Sequence, residues 1–542
     1  MKMKKVLCLV LALVLALGVL AGCGGGNVKT SAKVKDFKHT DEKLEISWMS
    51  YATLAGCKEG TAPEKLLEKT FNVELKPIFV EGGSYQDKKS AMLAAGDIPD
   101  LIYELDPAHV FKDVEDEFLF EVQYEVIKEH APELYASIND KAPTVWSYSY
   151  YDEKNWGLPN INHAHMDSKA PIYRKDWLEK VNKEVPTTVD ELHDVLKAFV
   201  DADLGKGATY GYTMWDGHYQ YYFGEIFGAY GVLPFDWQEV NGEIVYGGLR
   251  PEVETVLGIL QNWYKEGIIY PAYAEGNAEK GASKLLTASQ LGYNNFYGYQ
   301  LPDSPNGLYT KTRAIDPNAD FVWGQPVRGP KGDYGMRGWG YPCHVVSFGA
   351  ADETGETTPK KITRILEMLE GMYTDDKLLM EVRYGKEGEQ YKVDRESTTS
   401  TSAYDPIGKY KEDAANRRLE GYEFSLGGPT FWSPFAPSDE MNASTFTNIY
   451  KEWAKVYQDD NAVLYDEFYK VDIIPSATEY LEVLRTEQIK LMNQIIMGQV
   501  DIKPDQFCEE FDKIWKANGG EQMLKEAKEQ KSINDEIVKQ LP

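Results

Sequence analysis

Cysteine is scarce in this 542-residue chain: there are five, and Cys8 and Cys23 fall within the first two dozen positions. The other three, Cys57, Cys343 and Cys508, allow one disulfide at most. Cys57 with Cys343 is the candidate pair, and three buried thiols are the simpler expectation. A disulfide-built scaffold and a CxxC metal knuckle are excluded. Positive charge is short as well, with 58 Lys and Arg against 86 Asp and Glu and a formal net charge of −28. A surface of that sign repels nucleic acid, polyanions and broad anionic lipid faces. Beyond residue 20 no long apolar run occurs, so no second membrane segment is expected. Catalytic signatures are missing too: no GxSxG elbow, HExxH, P-loop or GxGxxG stretch is present. His163 and His165 form an HxH pair, read as loop histidines rather than metal ligands. Among so many acids some pair always mimics a glycosidase dyad, so spacing singles out none.

What is present begins at the N-terminus. Lys2, Lys4 and Lys5 precede an apolar run over 6–20, too short for a comfortable span, and small residues lead to Cys23. That is the layout of an export signal over 1–22. Its end, "LAGC" at 20–23, resembles a bacterial lipobox. The resemblance implies acylation of Cys23 on sulfur, cleavage before it, and a flexible tether over 23–40 led by Gly24, Gly25 and Gly26. The protein is therefore expected at the cell membrane, lipid-anchored and facing the extracytoplasmic side.

Aromatic usage favours rings with a polar edge: 36 Tyr and 12 Trp stand against 20 Phe. Such rings suit a partly polar ligand that is stacked and hydrogen-bonded together, as sugars are. Along the chain, "KLEISWMSY" at 43–51 alternates as a strand, and 62–70 reads as a helix opened by Thr61 and Pro63. "VELKPIFV" at 73–80 is a second strand, 84–95 a helix closed by Gly96, and 99–105 a third strand. This alternation predicts a mainly parallel sheet with covering helices, whose ligands gather at the carboxyl ends of strands. A second series starts near Pro171: a strand running into a helix, a helix capped by Thr187, strands over 209–215 and 290–298, and a helix over 252–265. Two series imply two α/β lobes. "FVWGQPV" at 321–327 is expected to cross between them, and 341–349 to return to the first lobe with a helix over 360–373. Helical patterns dominate from Asp375, notably over 477–497 and 507–530.

Several stretches in order carry a family likeness: "AAGDIPDLIYE" at 94–104, "WGLPN" at 156–160, and "RKDWL" and "VPTTVDEL" within 171–199. "YGKEGEQYKV" at 384–393 and the closing run 495–527 continue it. Together with the lipobox they resemble the lipoprotein-type extracellular solute-binding proteins of ABC transporters, family 1, of the oligosaccharide-type group. The resemblance implies an α/β, two-lobed periplasmic-binding-protein-like (type II) fold with exchanged sheet strands and a helical C-terminal region. On that basis the first lobe is placed at 41–155 and 328–373, and the second at 156–327 and 374–542. It also implies an oligosaccharide ligand, ABC transporter permease subunits as partners, and a monomeric chain without cofactor. Many relatives carry a calcium loop after the long helix. Here "DADLGKGATYG" at 201–211 keeps Asp201 and Asp203, but Gly205 and Lys206 replace the next oxygen ligand and the turn glycine. No bound calcium is expected there.

The cleft candidates from the first lobe are Trp48, Tyr51 and Asp106, with Trp339 and Tyr341 in "RGWGYP". From the other lobe come Trp215, Asp216 and Tyr219 in "MWDGHY", Asn295 and Tyr297 in "YNNFYG", and Trp432 in "PTFWSP". Ligand would draw the lobes together by contacts that exist only when both touch it. Two other readings stay open. A peptide-binding lipoprotein would rely on a basic residue such as Arg337, and a surface glycan-processing enzyme would form product.

Overall fold

The computed structural model describes residues 29–542 apart from 52–56, 162–168, 215–218, 220–221, 276–277, 298–306, 338–341, 353–354, 398–399, 401, 425–427, 449–450, 452–462, 465 and 469–472. Its first unit is built as the local pattern dictates. β1 (Leu44–Met49) buries Ile46, Trp48 and Met49 and leaves Leu44 and Ser47 half-exposed and Glu45 exposed. α1 (Ala62–Phe71) starts where the Glu64 carboxylate accepts from the N–H groups of Gly60 and Thr61, and stops where Asn72 turns left-handed at φ 52°. β2 (Val73–Pro77), α2 (Tyr85–Ala94) and β3 (Leu101–Glu104) follow, and the three strands pair in parallel in the order β2-β1-β3. α3 (Pro107–Glu115) then opens on Asp106, whose carboxylate accepts from the Ala108 N–H. β4 (Gly157–Ile161) is another strand of this sheet, although its residues were expected in the second lobe.

The second lobe begins with β5 (Lys169–Arg174), α4 (Lys175–Val181) and α5 (Val189–Asp201), the last capped by Thr188 rather than Thr187. α6 (Glu252–Lys265) covers the lobe. β6 (Tyr293–Tyr297) and β7 (Phe321–Trp323) both run antiparallel to β5, in the order β6-β5-β7. Residues 321–323 of the stretch expected to cross therefore stay in this sheet. Single bridges from Tyr210 to Leu291 and Tyr212 to Ile269 replace the strand expected over 209–215. β8 (Met336–Arg337) precedes the return to the first sheet. There β9 (Pro342–Phe348) inserts antiparallel between β3 and β4. One sheet thus contains strands from both sides of the second lobe, which is the strand exchange expected from the sequence.

The C-terminal third is divided between the lobes. α7 (Thr358–Thr374) and α8 (Asp376–Tyr384) pack on the first lobe, α8 against α1. A short strand β10 (Val463–Leu464) pairs in parallel with β8. α9 (Ala477–Ile496) and α10 (Phe507–Ala517) pack against α6 in the second lobe. The final helix α11 (Gly520–Gln540) lies against the 143–148 turn of the first lobe and the strand Glu243–Tyr246 of the second. The helix expected over 507–530 is two helices, because Gly519 turns left-handed at φ 70° between them. Cys57 and Cys508 are half-buried free thiols, and the Cys343 side chain lies outside the described residues. Among the described residues no helix is long and apolar enough to cross a membrane.

Candidate functional site

The carboxyl ends of β1, β3 and β4 and the start of β9 meet at one edge of the first sheet. Tyr103 on β3 and His344 on β9 come together there, the Tyr103 hydroxyl 2.9 Å from His344 Nδ1. Asn160, on β4, donates from Nδ2 to the Tyr103 hydroxyl at 3.2 Å and to the Pro434 carbonyl at 2.7 Å. Tyr51 stands edge-on to both rings, 5.5 Å from Tyr103 and 6.1 Å from His344. Tyr51 and His344 are half-exposed, so this edge presents rings and polar atoms together. Phe79, beyond β2, is also half-exposed and packs 4.6 Å from Phe431.

Residues 430–437 run along this edge and are held through their carbonyls by three separate elements. Trp48 donates its indole N–H to Phe431 O at 2.9 Å. Asn160 holds Pro434, and Arg383 of α8 donates from Nη2 to Phe435 O at 2.9 Å. Trp48 and Trp432 are 0% and 1% exposed. Neither offers an open ring face, and Trp48 acts as a fastening behind the edge. Asp106 is half-exposed and uses one carboxylate oxygen to cap α3.

In the second lobe β6 carries Asn295 at its centre and Tyr297 at its last position. Asn295 is buried and donates to Glu225 Oε2 at 3.2 Å. Glu225 Oε1 accepts from the Val327 N–H at 3.0 Å. Burial pushes the Glu225 carboxyl up to about 7, against the pull of these two donors. Tyr219 is half-buried and lies over the Arg485 guanidinium at 3.9 Å. Behind it Arg337 donates to Asp236 at 2.7 Å and pairs with Asp466 at 3.6 Å, while Arg485 pairs with Asp236 at 3.1 Å. Burial and the Asp236 charge push Asp466 up to about 7. Trp215, Asp216, Trp339, Tyr341 and Cys23 lie outside the described residues, as does the Tyr297 side chain. In the loop tested for calcium, Asp203 Oδ1 accepts from the Gly207 N–H at 2.7 Å and the Thr209 hydroxyl at 3.0 Å, and Asp201 pairs with Lys197.

Tyr103, Asn160 and His344 were not singled out from the sequence, and neither were Phe79 and Glu225. Asn160 closes the "WGLPN" stretch, which was the one available signal. The Tyr103 and His344 rings meet only through the pairing of strands more than 200 residues apart in sequence.

A pH dependence follows from Glu225. Its folded value near 7 lies above the 4.5 of an unperturbed glutamate, so the folded chain binds the proton more tightly. Stability rises as pH falls through that window, by up to about 1.4 kcal/mol per pH unit for such a group. Thermal unfolding at about pH 8 and about pH 5.5 is expected to give the higher midpoint at the acidic value. Glu225→Gln should reduce the difference, leaving the part that comes from Glu104, Glu423 and Asp466, which burial also raises to about 7.

Comparison with known proteins brings these observations together. Residues 55–343 match the family model for bacterial extracellular solute-binding protein. The polygalacturonan/rhamnogalacturonan-binding protein YtcQ of Bacillus subtilis (strain 168) is 25% identical over 396 residues, covering 72% of this chain and 75% of that protein. Lipoprotein LipO of the same organism is 21% identical over 532 residues, 95% of this chain and 96% of its own. Among solved structures, an HMO-binding, ABC-transporter-associated solute-binding protein from Bifidobacterium longum infantis superposes with a TM-score of 0.61. It covers 90% of this chain and 99% of its own at 15% identity, a likeness of fold.

Proposed function

The chain belongs to the bacterial extracellular solute-binding proteins, and on that premise we propose that it captures an oligosaccharide between its lobes and delivers it to the permease of an ABC transporter. The observation that carries this reading is the edge formed by Tyr51, Tyr103, His344 and Asn160, where half-exposed rings adjoin hydrogen-bonding side chains. Sugar rings present C–H faces to aromatics and hydroxyls to amides, and each buried hydroxyl needs a partner or costs about 1–3 kcal/mol. Tyr219 and Asn295 are the second lobe's contribution. Ligand touching both edges favours the closed arrangement of the lobes. The chain acts by binding rather than by a reaction of its own. Cys23 provides a lipid anchor, and residues 24–40 the tether that keeps the lobes near the permease.

A peptide ligand is less well served. Arg337, the cation a peptide carboxylate would use, is already held by Asp236 and Asp466. Thermal-shift screening of the mature chain against glycan and peptide panels tests the reading. A glycan is expected to raise the midpoint by mass action; a response to peptides alone would overturn the proposal, and product formation seen by chromatography would reassign the protein to an enzyme class. Tyr51→Ala is expected to weaken binding of the responding glycan by about tenfold in calorimetry, with little change in stability.

A further inference from the structure

Most of the 24–40 tether is fastened to the first lobe. The Glu121 N–H donates to the Thr30 carbonyl at 2.8 Å, and Gln123 Nε2 donates to the Ala32 carbonyl at 3.1 Å. Phe37 is 2% exposed and stands edge-on to Phe120 at 6.4 Å. Further on, His39 Nδ1 lies 3.0 Å from the Glu367 carboxylate. The Arg364 guanidinium donates to the Thr40 carbonyl, and Asn72 Nδ2 donates to the Asp41 carbonyl at 2.9 Å. A buried ring with polar contacts on both sides of it ties this strap down as part of the lobe.

The strap crosses the amino end of the first sheet. Phe120, next to the residue that holds Thr30, donates its N–H to the Phe348 carbonyl at 2.7 Å. Phe348 pairs with Leu101, where β3 begins. The edge carrying Tyr51, His344 and Asn160 lies at the other end of these strands. Thr30 is the seventh residue after Cys23, a reach of at most about 25 Å when fully extended. A tether loose as far as Asp41 would reach about 65 Å.

Building on the lipid anchor at Cys23, we propose that a short lead turns the amino end of the first sheet to the lipid bilayer. The ligand edge then points away from the membrane. The second lobe stands beyond that edge, free to move as the cleft closes. Charge does not draw this face to lipid. The exposed lysines of the strap are offset by exposed Asp36 and by Asp116, Glu117 and Glu356 on the neighbouring turns. The lead alone sets the distance.

Energy transfer from a dye on the chain to acceptor-labelled headgroups tests this. The lipidated mature chain is placed in vesicles of phosphatidylethanolamine and phosphatidylglycerol, with Cys57, Cys343 and Cys508 changed to serine. The dye sits at Asp116→Cys, at the amino end, or at Asn318→Cys in the second lobe. Asn318 is exposed and close to Asp316, which holds Arg174 at the last position of β5. Transfer from the first site is expected to exceed that from the second by at least about threefold, because they mark opposite poles of two lobes. Adding about twenty Gly and Ser residues after Gly26 should bring the two signals together. Equal transfer without the insertion overturns the proposal and leaves the anchor standing. A difference that survives the insertion also overturns it, since the lead then sets nothing. A wild-type chain that carries no lipid by mass spectrometry overturns both the proposal and the anchor.

Discussion

Replacing Arg337 with methionine is expected to remove about 3–5 kcal/mol of stability, more at about pH 8 than at about pH 5.5. The Arg337 side chain is 8% exposed and its partners Asp236 and Asp466 are 3% and 1% exposed. Without it, two buried carboxylates share Arg485, which directly contacts Asp236. Asp466 is already pushed up to about 7 by burial and by the Asp236 charge, and removing a cation raises it further. An acid whose folded pKa lies above its unfolded value takes up a proton as pH falls, so lost stability returns on the acidic side. Urea unfolding at the two pH values reads both effects. Arg337→Lys keeps the charge without the two-pronged reach and should fall between wild type and Arg337→Met. A pH-independent loss below about 1 kcal/mol would mean that the four groups do not act as a unit. The position matters for function as well. Arg337 lies on β8, just ahead of the return to the first sheet, so the network fixes one end of a crossing between lobes.

The first lobe was legible from its sequence because its determinants are local. Alternation marks β1 and β2, Thr61 with Glu64 starts α1, and Gly96 follows α2. The second sheet was less legible. Tyr210 and Tyr212 make single bridges instead of a ladder, and no periodic pattern distinguishes the two. The crossings were misplaced for a related reason. β4 and β7 are both short, and their sheets are decided by pairing with β9 and β5, partners whose register local sequence does not encode. At the site, the aromatic count drew attention to Trp48 and Trp432. The largest apolar rings are also the most useful to bury, and both are buried. His344 joins Tyr51 at the half-exposed edge instead, with Tyr103 buried behind them, and a polar residue inside a strand gives no signal until its neighbours across the sheet are known. Arg383 and Glu225 were silent for the same reason: their roles depend on Phe435, Asn295 and Val327, each more than 50 residues away.

Trp48→Ala is expected to cost about 3–5 kcal/mol, the range for deleting a large buried ring. The side chain is fully buried on β1 between the parallel neighbours β2 and β3, so the space it leaves cannot readily close. Its loss also frees the Phe431 carbonyl, one of three anchors of residues 430–437. Trp48→Phe separates the two contributions, since it keeps most of the apolar volume and removes only the indole N–H. That variant should lose about 1–3 kcal/mol, the cost of one buried acceptor left unpaired. Binding then distinguishes a fastening from a contact. If Trp48 holds the segment from behind, Trp48→Phe should bind the responding glycan within a few-fold of wild type, whereas Tyr51→Ala loses about tenfold with little loss of stability. If instead Trp48→Phe loses affinity as strongly as Tyr51→Ala while remaining folded, the indole reaches the ligand and the edge must extend past β1 to the Phe79–Phe431 pair. Asn160 and Arg383 still grip Pro434 and Phe435 in either variant, so the segment stays attached at its far end. Any loss of binding then reports on the Phe431 end alone.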